Sequence, residues 1–556
     1  MTAGKAILLV VIGAAGLSAC GGGSGGTSDP APAGTVPTTP AAPTTPTTPT
    51  TPTPATPTPM PTPPTPTPGG TWLTLTPSTV QAQGYAGDYA TLRIFAKSSQ
   101  QIVKSSSIGI IDSKGLVSND DVWLESAPDT AFVVHARTST KLAPGSYATV
   151  LEVRMCEDDA VVCSKPFPGS PWYVPLNLTV LPGTNLTRLN AISGLSSWST
   201  YQGNAAHTGF VPANFVPAAF SRRWNIPANG RTATRTPALD NGKAFLVRGF
   251  HRSGWSLAAI NEDTGQTAWQ VDLSGNYFNS PAAADGKVYV TSGDGTDIPY
   301  LWIFDQASGA LVAKTAMSTE GSYLAPTVYG GSVYAPGDGT DGFGKFDGAS
   351  GRLAWSTAGL SLSEPWTPAV DGAYAYNYFG GTLHAFKVAD GGSAFNVSSK
   401  TGGDSRREGR ALVLDGQFAY VADRATLTAF DLGKHGIAWT SAIPAATRDY
   451  PGGQPVLANG TIYVTAGGAA LEAHSAGTGA LLWRTSLPQG FYDRFDTLIV
   501  TNGLAFVSSD ETTLAVDLAT HQVVWSHPVG GTLAISNRGV LYITKFDGQV
   551  VAVNLQ

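Results

Sequence analysis

Charge is scarce in this chain of 556 residues: 13% of positions are Asp, Glu, Lys or Arg, and 33 basic against 39 acidic side chains leave a net charge of −6. Phosphate backbones are held by dense basic faces, so this balance argues against a nucleic-acid-binding role. Cysteine is scarcer still, with only Cys20, Cys156 and Cys163. There is no Cys-x-x-Cys-His haem attachment, and two thiols without clustered His make a poor metal site. The eight His are scattered, and none forms the i, i+4 pair of a zinc hydrolase. The apolar stretch Ala6 to Leu17 falls short of the roughly 20 residues that a membrane-spanning helix needs.

What the chain has instead is a repeated phrase. A turn glycine (Gly242, Gly286, Gly331, Gly372, Gly416, Gly460, Gly503, Gly539) is followed 14 to 19 residues later by a position that is usually Asp or Asn (Asn261, Asp305, Asp347, Lys387, Asp431, Ser475, Asp517, Asn554). Successive phrases lie 37 to 44 residues apart, the length of a four-stranded propeller blade. Most of the glycines follow Asn, Asp or Gly, the residues that best tolerate the positive φ of a two-residue hairpin. Short alternating runs such as Lys287 to Val290 and Thr461 to Val464 flank them and read as strands with one buried face.

Four residues past the Asp-like position comes a second turn, usually Gly, and four further on a large aromatic: Trp269, Trp355, Phe395, Trp439, Trp483 or Trp525. A flat ring at this place suits the outer strand of a blade, where each sheet buries a face against its neighbour. The last repeat stops at Val550 to Gln556, with no room for its outer strand. An unpaired strand of that character, Arg222 to Ile226, stands before the first repeat. Pairing the two closes a ring without exposed edges. The expected fold class is therefore all-β, an eight-bladed β-propeller with Trp224 serving the eighth blade.

The runs Leu257 to Trp269 and Trp198 to Gly209 resemble the quinoprotein (PQQ-like) propeller repeat, and the likeness extends over about residues 198–556. Proteins of this kind include quinone-dependent alcohol dehydrogenases and non-catalytic lipoproteins similar to the outer-membrane assembly factor BamB. The enzymes hold their quinone with Ca²⁺ ligands, an Asp base, a stacking Trp and, in many, a disulfide between adjacent cysteines. This chain has no adjacent cysteines. The expectation is a non-catalytic, monomeric propeller without a cofactor, and the alternative is a PQQ-dependent dehydrogenase.

Upstream, residues 1–20 read as a targeting segment. Lys5 precedes the apolar stretch, and Leu17-Ser18-Ala19-Cys20 resembles the lipobox of bacterial lipoproteins, which implies acylation of Cys20 and an outer-membrane anchor, periplasmic or surface-exposed. Residues 21–70 begin with Gly and Ser and continue in Thr and Pro, a composition that makes an extended tether. Residues 71–182 read as a small β-sandwich. Cys156 and Cys163 flank an acidic turn, Glu157-Asp158-Asp159, and predict a disulfide-closed hairpin. The run Cys156 to Val180 resembles bacterial Ig-like modules, and residues 190–556 form the propeller.

Candidate functional residues fall on one face. The links from each outer strand to the next inner strand share one end of a propeller, and here they carry Arg231 and Arg235; Tyr277 and Phe278; Tyr323; Trp366; Arg406, Arg407 and Arg410; Arg448 and Tyr450; Tyr492 and Arg494. Arginine and aromatics dominate interface hot spots, so this face is predicted to bind a protein partner of the envelope. A polysaccharide or adhesive role is the remaining alternative. The run Gly293-Asp294-Gly295-Thr296-Asp297 recurs as Gly337-Asp338-Gly339-Thr340-Asp341. Asp294, Asp297, Asp338 and Asp341 could offer oxygens to Ca²⁺. A duplicated Asp-Gly turn is the preferred reading, because neither copy brings further carboxylates.

Overall fold

The computed structural model describes residues 72–99, 106–127, 131–228, 233–250, 253–292, 299–317, 325–336, 342–357, 367–399, 409–423, 425–443, 454–466, 470–487 and 497–556. The chain divides into two compact units. Of the described residues, one unit holds 72–80 with those of Leu92–Ala136 and Ala148–Asn177, and the other holds those of Gln81–Thr91, Arg137–Tyr147 and Leu178–Gln556.

Two four-stranded sheets precede the repeats, one ordered Leu73–Thr76, Thr91–Ser98, Ala131–Thr138, Val117–Ala127 and the other Val80–Tyr85, Trp172–Leu181, Gly145–Cys156, Ser107–Ile111. Strand Thr91–Ser98 buries Leu92, Ile94 and Ala96 and turns the residues between them outward, the alternation of a sheet with one covered face. Cys156 and Cys163 are joined in a disulfide, with Cα atoms 5.4 Å apart. Asp158 organises the turn between them by accepting from the Ser164 hydroxyl and from the Ser164 and Lys165 amides. Those bonds, the hydroxyl's foremost, hold its carboxyl below the usual range.

Among the described residues the repeats form eight sheets of four strands or more, antiparallel except for one added parallel strand. Blade two is typical: Ala282–Ala284, Lys287–Thr291, Tyr300–Asp305 and Leu311–Ala316, from inside out. The middle strands are buried on both faces rather than one, as in Lys287–Thr291, because each sheet packs between two others around the ring. Ring closure follows the sequence expectation. Ser221–Ile226 pairs with Val550–Asn554, placing Trp224 opposite Ala552 as the outer strand of blade eight.

The tight hairpins divide into two kinds. Asn241-Gly242, Asp285-Gly286, Gly330-Gly331 and Asn459-Gly460 have positive φ at both central residues, as expected. In blades four and five the turn is longer, and Asp371 and Asp415 instead accept two backbone amides each and a tyrosine hydroxyl, from Tyr376 and Tyr420. In blade four the side chain does the work that a left-handed backbone does elsewhere, and in blade five it acts together with positive φ at Gly416.

The Asp-like position and the aromatic also acquire causes. Asp305, Asp347 and Asp517 each accept the amide and the hydroxyl of the Ser or Thr three residues on, which closes the outer turn. Each outer Trp then docks on the next blade. Trp224, Trp269, Trp355 and Trp439 donate Nε1–H to the carbonyls of Glu262, Gln306, Val388 and Ala476 at 2.9 to 3.1 Å. Their rings lie on the turn glycine of that blade: a Cβ on Gly309 would sit 2.6 Å from Trp269 Cε3. Where His replaces that glycine, it stacks on the ring instead, His435 on Phe395 at 3.9 Å and His521 on Trp483 at 4.3 Å between centroids.

Candidate functional site

The chain from Trp198 to Ala213 fills the hub at the end that carries the tight hairpins. Its carbonyls accept, in chain order, the amides of Leu239 (from Trp198), Ala283 (Ser199), Val370 (Ala205), Leu414 (Ala206), Leu457 (Thr208) and Val500 (Gly209), one each from the inner strands of blades one, two, four, five, six and seven. Blade three is reached by the Thr200 hydroxyl, which donates to the Pro326 carbonyl. Phe210–Val211 then runs parallel to Leu498–Thr501 as a fifth strand of blade seven. The path needs left-handed backbone at Gln202, Gly203, His207 and Gly209.

This circuit crosses the axis. His207, fully buried, donates Nδ1–H to the Leu412 carbonyl at 3.1 Å on blade five, and its Nε2 lies 3.4 Å from Thr327 Oγ1 on blade three. Burial depresses its pKa from the usual 6.5 to about 3, against the opposing pull of the Leu412 bond, so the ring is neutral at ordinary pH. Tyr201 reaches Gln454 on the far side at 3.3 Å. The buried polar groups around it (Gln202, Thr327, Thr367, Gln454) are neutral as well. A Ca²⁺-held quinone needs clustered carboxylates, and among the described residues no group of three or more His, Cys, Asp or Glu converges.

The opposite end carries the links between blades and the hairpins between second and third strands. Of the residues expected to form a binding face, the structure brings three together: Arg235, Tyr277 and Phe278. The Arg235 guanidinium donates Nε–H to the Phe278 carbonyl at 3.0 Å and lies 4.5 Å from the centre of the Tyr277 ring. Phe278 is fully buried against Trp255 and Trp302. Its side chain is core, with only its carbonyl serving the arginine, because the link folds back over blade two and presents Tyr277 instead. The backbone of Arg410 pairs with Tyr378 in blade four. Arg231, Tyr323, Trp366, Arg406, Arg407, Arg448, Tyr450, Tyr492 and Arg494 lie outside the described residues, as do Cys20, Asp294, Asp297, Asp338 and Asp341.

Sequence reasoning missed two aromatics on this end. Phe250 and Phe546 stand at second-to-third-strand hairpins of the neighbouring blades one and eight, 56% and 65% exposed. The signal was an apolar ring beside a turn, Gly249-Phe250 and Phe546-Asp547-Gly548, where a solvated loop would carry polar residues. The hub circuit was missed as well. Its signal was a stretch with neither charge nor alternation, Trp198 to Gly209, containing two glycines and an Asn.

No helix among the described residues is long and apolar enough to cross a membrane. Among solved structures the chain is similar to BamB from Moraxella catarrhalis, at 16% identity over 60% of this chain and 100% of that one, with a TM-score of 0.49. It is also similar to a europium-containing methanol dehydrogenase, at 13% identity over 65% of this chain and 98% of that one, with a TM-score of 0.49. A computationally designed protein, Ika8, matches at 15% identity over 59% of this chain and 98% of that one, with a TM-score of 0.47. No curated protein matches. The family described as outer membrane protein assembly factor BamB matches residues 185–312, 255–451 and 423–556. These stretches together span the whole propeller and most of the chain, and the protein belongs to that family.

Proposed function

We propose that the protein is a non-catalytic, lipid-anchored scaffold of the bacterial cell envelope, whose propeller binds a protein partner through the end that carries the blade links. In this reading Cys20 holds the lipid, residues 21–70 span the distance from the membrane, and the partner belongs to outer-membrane assembly or maintenance. The observation that carries it is the contrast between the two ends: a hub closed with neutral groups at one, and exposed Phe250 and Phe546 with the arginine of Arg235 at the other. Family membership supports the same reading.

The test is chemical crosslinking in intact envelopes followed by capture of the full-length chain. A discrete protein adduct that weakens severalfold in a Phe250→Ser, Phe546→Ser double variant is expected. A second assay adds PQQ and Ca²⁺ to purified protein and follows dye-linked alcohol oxidation; turnover there would replace the scaffold reading with the dehydrogenase one.

A further inference from the structure

We infer that Arg235 is the anchor of a carboxylate-binding subsite on this face, which takes an acidic side chain of the protein partner. The inference rests on the scaffold reading and names the chemistry of its contact.

The guanidinium is held in place from several directions. The Arg235 amide donates to the Val247 carbonyl at 3.1 Å, which fixes the start of the side chain. Nε–H is fixed on Phe278 O at 3.0 Å, and the guanidinium carbon lies 4.5 Å from the centre of the Tyr277 ring and 5.7 Å from that of Trp255, two rings that meet edge-on at 6.1 Å. Trp255 is buried, and its own Nε1–H is tied to the Asn276 carbonyl at 3.2 Å. Yet the two terminal nitrogens, Nη1 and Nη2, have no partner among the described residues, and the side chain is only half-buried.

Other arginines of the propeller are used differently. Arg223 spends its donors on the carbonyls of Glu262, Thr187 and Asp263 and on two side-chain oxygens, Arg538 pairs with Asp263, and Arg484 pairs with Glu472. An arginine whose orientation is already fixed and whose fork is left open has given up its rotamer freedom in advance. That is the arrangement that favours bidentate binding of a planar oxyanion. A carboxylate fits better than a phosphate dianion. The guanidinium carries a single positive charge, and the chain as a whole carries −6, which disfavours a more highly charged guest. The partly exposed Tyr277 ring beside the fork gives apolar cover to the stem of a Glu or Asp.

The experiment follows the arginine side-chain resonances of the full chain labelled with ¹⁵N-arginine. The probe is acetyl-Glu-Phe-Glu-amide, with its Gln-Phe-Gln counterpart and phenyl phosphate as comparators at matched ionic strength. The expected result is a saturable shift of the Arg235 signals with the Glu peptide, about tenfold weaker for the Gln peptide and for phenyl phosphate. Arg235→Lys keeps the charge and loses the fork, and it is expected to weaken Glu-peptide binding about tenfold without changing the thermal midpoint. Should that variant not fold, Tyr277→Leu keeps the fork, loosens its stacking and is expected to weaken binding about threefold. No saturable shift at Arg235, undiminished binding in Arg235→Lys, or phenyl phosphate binding as tightly as the Glu peptide each overturns the inference. Envelope crosslinking separates this from the broader reading: an adduct that persists without peptide binding at Arg235 rejects the subsite and leaves the scaffold standing.

Discussion

At one end of the propeller the tight hairpins surround a hub that Trp198 to Ala213 closes by hydrogen-bonding seven blades in turn; at the other, the described residues present exposed phenylalanines and an arginine with an open fork. The first end repeats a small set of turns from blade to blade. The hub carbonyls are paired with amides of the inner strands, Gln202 Oε1 being a buried exception, and most of the outer rings rest on glycines. The second end leaves apolar surface and charge unpaired, which folding alone does not require. On the proposed function, rigidity and recognition would be divided between opposite ends of the same sheets. Substitutions should therefore separate them: stability lost at the first end, binding at the second.

The largest effect is expected at ring closure. Arg223 is fully buried and donates to the carbonyls of Glu262, Thr187 and Asp263 and to the side chains of Asn554 and Asp263. Arg223→Met strips Thr187 O and Asn554 Oδ1 of their donor, while Glu262 O keeps Trp224 and Asp263 keeps Arg538, and should cost about 2–5 kcal/mol in a urea titration. A loss below about 1 kcal/mol would mean that the strand pairing of Ser221–Ile226 closes the ring without this clamp.

Next comes the docking of Trp269 on blade two. Gly309 has φ +75°, and a side chain there meets the indole. Gly309→Val should destabilise by about 2–4 kcal/mol, through the left-handed backbone and the collision together. Gly309→His should lose less, because His435 and His521 hold φ of +51° and +59° at the same turn and stack on the ring they face. Equal losses for Val and His would show that stacking contributes nothing at this joint.

Such comparisons also mark what the sequence made legible. The eight sheets and the borrowed strand around Trp224 could be read because a turn glycine, an Asp-like position and an aromatic recur at fixed spacing, and each has a local cause: a left-handed turn, a capped turn, a docked ring. The hub circuit could not, since Trp198 to Ala213 is shaped by six blades' amides far away in the chain rather than by any local period. The same limit applies on the proposed binding face. Tyr277 and Phe278 are adjacent and chemically alike, yet one ring covers an arginine and the other enters the core, a difference decided by Trp255 and Trp302.

The hub should also respond to acid. His207 has its pKa lowered to about 3 in the folded chain, whereas the unfolded chain binds its proton near 6.5. Between those values the unfolded state carries the extra proton. The contribution is thus fully present above about pH 6.5 and falls away as pH drops toward 3, at up to about 1.4 kcal/mol per pH unit. His207→Gln should flatten that part of a stability–pH profile. A residual slope is expected to remain, because burial, and then the charge of Arg222, depresses His527 to about 3 as well. Identical slopes in the two proteins would mean that His207 does not enter the hub as a neutral ring.

The smallest stability effect is expected at the second end, and there the comparison is sharpest. Phe250 and Phe546 keep more than half of their surface in water, so trading both for Ser gives up little burial and should change unfolding free energy by no more than about 0.5 kcal/mol. If these rings exist for folding, the double variant melts early and its crosslinks fade in proportion to the folded fraction. If they exist for a partner, the melting curve is unchanged while the crosslinked adduct drops severalfold, since exposed aromatics that become covered on binding are where an interface concentrates its energy. Measuring both on one preparation decides which, because only the second outcome uncouples the two ends of the ring.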